Sequence, residues 1–378
     1  MKIGGSSTRI FGLDFMRAVA ILLVVCSHAL WAFPQIKGSF QALLDFMGMM
    51  GVEIFFVLSG FLIGRILLRI FTSPDFKSRH LTYFLIRRWF RTLPNYYLIL
   101  LINILIVWYL GREFADSLPL YFGFLQNFNF GMDIFFTESW SLPVEEFAYI
   151  LGPLLLYLLF FLKLPVSRNL LFLGITLSII LFFLGTKIAY HLQHDSTTME
   201  YWNIHLKAVV IYRIDAIYYG VLAAYISKEA PRFWKNQKRR LFKISLLSFC
   251  LLQYAIGAFG LTFENTPMFI NVFYLPVTSI IIALSLPFLS QWQKAPNWLI
   301  KPITFISLIS YAMYLLHYSI VLQLMRYWIP IKQDSILYTL IFSVGYAVIT
   351  IVLSYGLYRI YEKPMMDIRD QPFVKKRF

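Results

Sequence analysis

Ten apolar windows recur along this 378-residue chain, near residues 11–33, 46–68, 93–110, 143–162, 169–190, 206–227, 242–261, 268–290, 303–325 and 336–360. Each is long enough to approach a crossing of about 30 Å of hydrocarbon. In lipid every backbone N–H and C=O must find a partner within the protein, a demand that a helix meets by itself. The expected fold is therefore all-α, a polytopic transmembrane bundle of about ten spans. The third window is short and starts at Pro94. The 111–142 connection is long and aromatic, and part of it is expected to re-enter the bilayer or lie along its surface.

Composition agrees, with 59% hydrophobic and 14% charged residues, against roughly a quarter charged in soluble domains. A net charge of +15 would suggest a nucleic-acid partner in a soluble protein, but its distribution argues otherwise. The basic residues gather in alternate connections: Lys2, Arg9, Lys77, Arg79, Arg87, Arg88, Arg91, Lys163, Arg168, the run Lys228–Lys243, Lys294, Lys301 and the tail Lys363–Arg377. The opposite connections hold Lys37, Arg112, Lys187, Lys207, Arg326 and Lys332. The positive-inside rule then puts both termini in the cytoplasm, in keeping with an even number of spans.

One membrane domain over 1–378 is expected, with a short cytoplasmic tail from about 362 and no fused extracytoplasmic domain. Arg17 interrupts the first apolar run and no small-residue cleavage site is evident, so the run reads as a retained span rather than a signal peptide. Cys26 and Cys250 both lie in apolar runs and read as small membrane-embedded side chains, not as a disulfide or metal site.

The first window, LDFMRAVAILLVVCSHALW, carries Arg17 and His28. Eleven residues of helix turn through about three turns plus 20°, so the two side chains share a face about 16 Å apart along the axis. An Arg at the bilayer centre costs roughly 2.5–3.5 kcal/mol on the insertion scale, so such residues usually face a bundle interior or watered cavity. The alternative is that Arg17 snorkels to the headgroups and His28 hydrogen-bonds a neighbouring helix.

Other polar residues sit where lipid disfavours them. In GVEIFFVLSGFLIGR, Glu53 needs a partner, with His28 a candidate at similar depth, while Ser59, Gly60 and Gly64 permit close approach of a helix or ligand. Arg88 and Arg91, three apart in FLIRRWFRTLPNYY, share a helix face. They suit either lipid anchoring or an anion clamp, since guanidinium forks match phosphate oxygens. Ser141 is placed to cap the helix opened by Pro143, and Glu145 and Glu146 fall in its first turn. Arg213 and Asp215, two apart, do not face each other on a helix, so each needs another partner. His317 reads more readily as a packed neighbour of tyrosines than as a catalyst, and Glu362 stands at a cytoplasmic mouth.

These segments resemble, in order, the integral-membrane acyltransferase family 3, which includes O-acetyltransferases of bacterial cell-surface polysaccharides. The resemblance rests on LDFMRAVAILLVVCSH, GVEIFFVLSGFLIGR, RRWFRTLP, WSLPVEE, YRIDAIYYGVLAAY, ISYAMYLLHYSI and YRIYEKP. It implies a ten-helix bundle in the bacterial inner membrane that takes an acyl group, usually acetyl, from cytoplasmic acyl-CoA to a hydroxyl of an envelope glycan or its lipid-linked precursor. It also implies that Arg17, His28, Arg88 and Arg91 are essential.

On that footing His28 is the expected general base, with Glu53 or Glu145 fixing its tautomer. Arg88 and Arg91 would hold the CoA phosphates, with Arg17 and Ser59 further along the donor's path and no metal required. Direct attack by the glycan hydroxyl and a two-step acyl-imidazole relay both remain open. So do acylation of a small molecule and, from another class, secondary transport. Acyl-CoA, a glycan or glycolipid and membrane lipid are the expected partners, and nucleic acid is not.

Overall fold

A computed structural model describes residues 9–33, 38–162, 164–194, 198–329 and 336–371. Lys2, Lys37, Lys163, Lys332 and the tail beyond Gln371 lie outside the described residues.

All regular structure among the described residues is helical. The principal helices are α1 (Phe11–Ala29), α2 (Ser39–Phe71), α3 (Arg79–Tyr109), α4 (Ser141–Leu162), α5 (Arg168–Gln193), α6 (Ile214–Glu229) and α7 (Lys238–Ala258). Three composite spans follow: α8 (Phe269–Leu289), α9 (Asn297–Trp328) and α10 (Leu337–Arg369). Among the described residues nine helices are long and apolar enough to cross a membrane. The exception is α6, with 16 residues.

Where one continuous span was expected over 206–227, the chain instead makes a π turn at Asn203–Lys207 and a 3-10 turn at Val210–Tyr212 before α6 begins. Irregular backbone at this depth is tolerated only against protein, and the long aromatic connection supplies that protein. Val210 N–H donates to the Asn127 C=O at 2.9 Å and Ile211 N–H to the Phe128 C=O at 3.1 Å. The Asn127 amide in turn donates to the carbonyls of Trp140 (2.8 Å) and Ala208 (2.5 Å). Gln126 and Asn127 are fully buried.

A second difference concerns α3, which starts at Arg79 and runs through Pro94 instead of starting there. Its first turns carry Arg87, Arg88 and Arg91, which depress local hydropathy and hide the helix from an apolar window. The cysteines are free, and both side chains point outward from the bundle.

The centre of the bundle is the contact of α2 with α6, flanked by α1 on one side and α5 on the other. Its closeness depends on two glycines. A Cβ on Gly60 would lie 1.8 Å from the Ile217 carbonyl oxygen, and one on Gly220 would lie 2.1 Å from that of Val57. Small residues at such crossings let backbones approach in lipid, where packing and not water exclusion drives helix association. The sequence left Gly60 open to a ligand or a helix, and a helix occupies it.

Gly60→Val is therefore expected to abolish accumulation of folded protein. Gly174→Val, on α5 with no atom within 4 Å of its added Cβ, should leave it within experimental error. The measurement is the monodisperse fraction after detergent extraction, and equal yields from the two variants would contradict the packing described.

Candidate active site

The polar residues on α1, α2, α3, α4 and α9 converge on one cavity of about 800 Å³, its open mouth included. Arg17, Arg88 and Arg91 supply its cations, Glu145 its carboxylate, and Ser59 and Tyr149 hydroxyls along its wall.

The three guanidinium groups are held differently. Arg17 donates from Nη1 to Ser307 Oγ (3.0 Å) and Asp14 Oδ1 (3.3 Å). Asp14 also accepts both arms of Arg9, each at 2.8 Å, and the Ser307 hydroxyl at 2.8 Å. This network fixes the Arg17 head on the cavity side of α1. Arg88 lies over the rings of Phe84 (5.8 Å) and Tyr149 (5.6 Å).

Among the described residues no carboxylate is within ion-pairing distance of Arg88 or Arg91. A cation–π contact offsets at most about 2 kcal/mol, while withdrawing an unpaired charge from water costs several. The pair is thus poised to gain from an anion.

Glu145 accepts a hydrogen bond from the Tyr149 hydroxyl at 2.6 Å, and Tyr149 is in turn hydrogen-bonded to Ser59. At the inner end of the cavity the hydroxyls of Ser141 and Tyr314 meet at 2.7 Å. Glu146 faces α3 and accepts from Thr92 Oγ1 at 2.7 Å.

His28 does not line this cavity. Its ring centroid is 4.9 Å from that of His317, 4.3 Å from Trp31 and 5.2 Å from Tyr318, and His317 is the neighbour that touches Tyr314 of the cavity wall. His317 is fully buried and opens a π turn, His317–Leu322, in α9. Such turns recur at functional sites.

The hydrogen bonds fix both tautomers. His317 Nδ1 is 2.7 Å from the Tyr314 C=O, a contact that only an N–H can make. In the neutral ring its Nε2 is then an acceptor. His28 Nδ1, 3.1 Å from that Nε2 and 2.9 Å from the Val24 C=O, must carry the proton and share it between them. The lone pair of His28 is left on Nε2, the basic nitrogen of the imidazole.

Glu53, expected beside His28, is elsewhere. It is ion-paired with Arg213, accepts from Ser279 Oγ at 3.2 Å and is fully buried. Its helical neighbour Val52 lines the cavity, and about 100° of rotation turns the carboxylate toward α6 and α8. Asp215 pairs with Lys187, so Arg213 and Asp215 each find the separate partner that their spacing required.

The acyltransferase domain family matches the chain over residues 10–359. The chain belongs to that family. Its relatives include the peptidoglycan O-acetyltransferase OatA of Listeria monocytogenes, 26% identical over 326 residues that cover 82% of this chain and 49% of that protein. The putative peptidoglycan O-acetyltransferase YrhL of Bacillus subtilis is 25% identical over 387 residues, 96% of this chain and 55% of that protein. The chain thus spans about half the length of these two curated relatives. No solved structure matches it.

Of the seven site residues expected from the sequence, Arg17, Arg88, Arg91, Ser59 and Glu145 share the cavity, whereas His28 and Glu53 do not line it. Neither expected carboxylate orients His28; His317 and the Val24 carbonyl hold its Nδ1 proton. Glu138 also went unremarked in the sequence. It is buried and accepts the N–H and hydroxyl of Ser319, at 3.0 and 2.7 Å, within the π turn that His317 opens. No periodicity flags it, because it lies in a short 3-10 turn, Thr137–Trp140.

Removing one partner of a buried ion pair costs about 3–5 kcal/mol, while replacing both by apolar residues is often neutral. Glu53→Ala should accordingly lose stability of that order, and E53L/R213M should recover most of it. Thermal unfolding in detergent measures this, and an E53A protein as stable as the parent would contradict the pairing.

Proposed function

We propose that this protein is a multi-pass O-acyltransferase of the bacterial cytoplasmic membrane that moves an acyl group, acetyl by the resemblance, from acyl-CoA to a hydroxyl of an envelope glycan. The observation that carries the reading is the cavity itself. Two guanidinium groups without carboxylate partners among the described residues stand in it with Arg17, and Tyr314 of its wall is joined through His317 to an imidazole whose basic nitrogen is free of the hydrogen bonds that fix its tautomer. The names of the relatives, both peptidoglycan O-acetyltransferases, favour a carbohydrate acceptor.

In this reading Arg88 and Arg91 bind the CoA phosphates, where bidentate guanidinium contacts suit phosphate oxygens. Arg17, braced by Asp14 and Ser307, lies along the pantetheine arm. Ser59 and Tyr149 supply hydroxyls to the same arm. The wall formed by Ser141 and Tyr314 separates donor and base, and its opening brings the thioester to His28. His28 Nε2 takes the proton of the attacking hydroxyl, the acyl C–S bond breaks, and the imidazolium returns the proton to the departing thiolate.

His317 acts as the orienting partner that an Asp provides in a hydrolase triad, keeping the Nδ1 proton of His28 in place. Trp31, anchored by donation to Asp45 at 3.1 Å, presents an aromatic face beside His28 on which a sugar ring can stack.

With purified enzyme, labelled acetyl-CoA and a soluble glycan acceptor, His28→Ala is expected to abolish transfer. General-base catalysis contributes typically 10²- to 10⁴-fold. His317→Leu should reduce kcat at least tenfold with little change in KM for the donor, as a tautomer effect requires. Arg88→Ala with Arg91→Ala should raise that KM at least tenfold. Transfer retained by His28→Ala would remove the proposed base, and an unchanged donor KM in the double arginine variant would return those residues to membrane anchoring. Label retained on the protein without acceptor separates the acyl-imidazole relay from direct attack.

A further inference from the structure

At the far end of α2 a second cavity, about 860 Å³ with its open mouth, shares no lining residue with the first. Arg65 and Arg69 of α2 and Lys228 of α6 converge on it, with the hydroxyl-bearing residues Thr72, Ser73 and Ser227 between them. Among the described residues no acidic residue lines it.

The arrangement runs against electrostatic economy. Arg65 and Arg69 are four apart on one helix, a spacing at which like charges repel, and Lys228 adds a third cation from another helix. None of the three has a carboxylate within ion-pairing distance among the described residues. Lys228 Nζ is directed inward by donation to Thr72 Oγ1 at 2.6 Å. The Arg65 guanidinium lies 5.6 Å from the Phe61 ring centroid. The hydroxyls of Thr72 and Ser227 already donate to the Leu68 and Ala224 carbonyls, each at 2.7 Å, so the basin meets an incoming group chiefly with its three cations, the chemistry of a phosphate site.

The surroundings say which phosphate. The cavity lies at the C-terminal ends of α2 and α6, and the end of a membrane-crossing helix such as α2 sits at the depth of lipid headgroups. Ile66, next to Arg65, faces outward at 40% exposure. Arg168, at the start of α5, donates to the Ser73 carbonyl at 2.7 Å, and two residues on Leu170 is 56% exposed. Apolar surface beside a cationic basin accommodates acyl chains, for which a soluble nucleotide has no use.

We propose that this basin is a phosphate-recognition site for an anionic membrane phospholipid, separate from the cavity assigned to acyl transfer and independent of that assignment.

Native mass spectrometry of the full chain in detergent, delipidated and then given equimolar phosphatidylglycerol and phosphatidylcholine, tests this. The parent is expected to retain phosphatidylglycerol at least tenfold over phosphatidylcholine. R65Q/R69Q should lose that preference at least tenfold, and R65K/R69K should keep most of it. Lys228→Gln gives an independent reading from the other helix should the double variant fail to purify as a monodisperse species. Excess acetyl-CoA or inorganic phosphate should leave the bound lipid in place. Equal retention of the two lipids, or a preference unchanged in both R65Q/R69Q and Lys228→Gln, would overturn the proposal. Displacement of phosphatidylglycerol by acetyl-CoA would reassign the basin to a soluble phosphate donor.

Discussion

A charge carried into a hydrocarbon slab must be neutralised, hydrogen-bonded or of use. The protein sorts its embedded ionisable groups accordingly. Glu53 with Arg213, and Lys187 with Asp215, are buried pairs of zero net charge between α2, α5 and the start of α6. Asp14 holds Arg9 and Arg17 together. Arg88 and Arg91 are left over, with aromatic contacts for Arg88 and no described carboxylate for either. The same rule explains the fold and points to the site, because Arg88 and Arg91 line its central cavity.

The break in the helical pattern, made by the π and 3-10 turns, lies just ahead of these paired charges. Residues two apart on a helix point about 200° away from each other, so Arg213 and Asp215 meet partners on different helices. Arg213 reaches Glu53 on α2 while Asp215 reaches Lys187 on α5. The backbone groups freed by those turns are taken up by Asn127 and Phe128. The aromatic connection between α3 and α4 is thus a plug for an otherwise unsatisfied segment. Wide turns recur at His317–Leu322 and Tyr358–Glu362, and the first of these presents His317 to His28.

Much of the architecture was legible in the apolar windows, since hydropathy and helix length are local properties. Windows failed where charge and helix coincided. Arg87, Arg88 and Arg91 masked the first turns of α3, and Arg213 and Asp215 concealed a break. The residues around the central cavity could be named because lipid makes a charged side chain conspicuous, and because the order of the motifs resembles a known family. Their partners could not. The Glu53 to Arg213 contact spans 160 residues and the His28 to His317 contact 289, distances over which sequence spacing carries no geometric information. Depth alone points Glu53 toward His28, whereas the helical rotation from Val52 turns it away. His317 reads as packing in the sequence because an apolar run with flanking tyrosines looks the same whether its histidine is inert or paired.

The central claim is that a cationic cavity receives the donor on one side of Tyr314 while His28 waits on the other. An experimental structure with a non-hydrolysable thioether analogue of acetyl-CoA tests it most directly. The account predicts the nucleotide phosphates against Arg88 and Arg91, the arm passing Arg17, and the thioether sulfur at the wall made by Ser141 and Tyr314, facing His28. Phosphates seated instead against Arg65, Arg69 and Lys228, or an analogue whose arm runs away from His28, would contradict it.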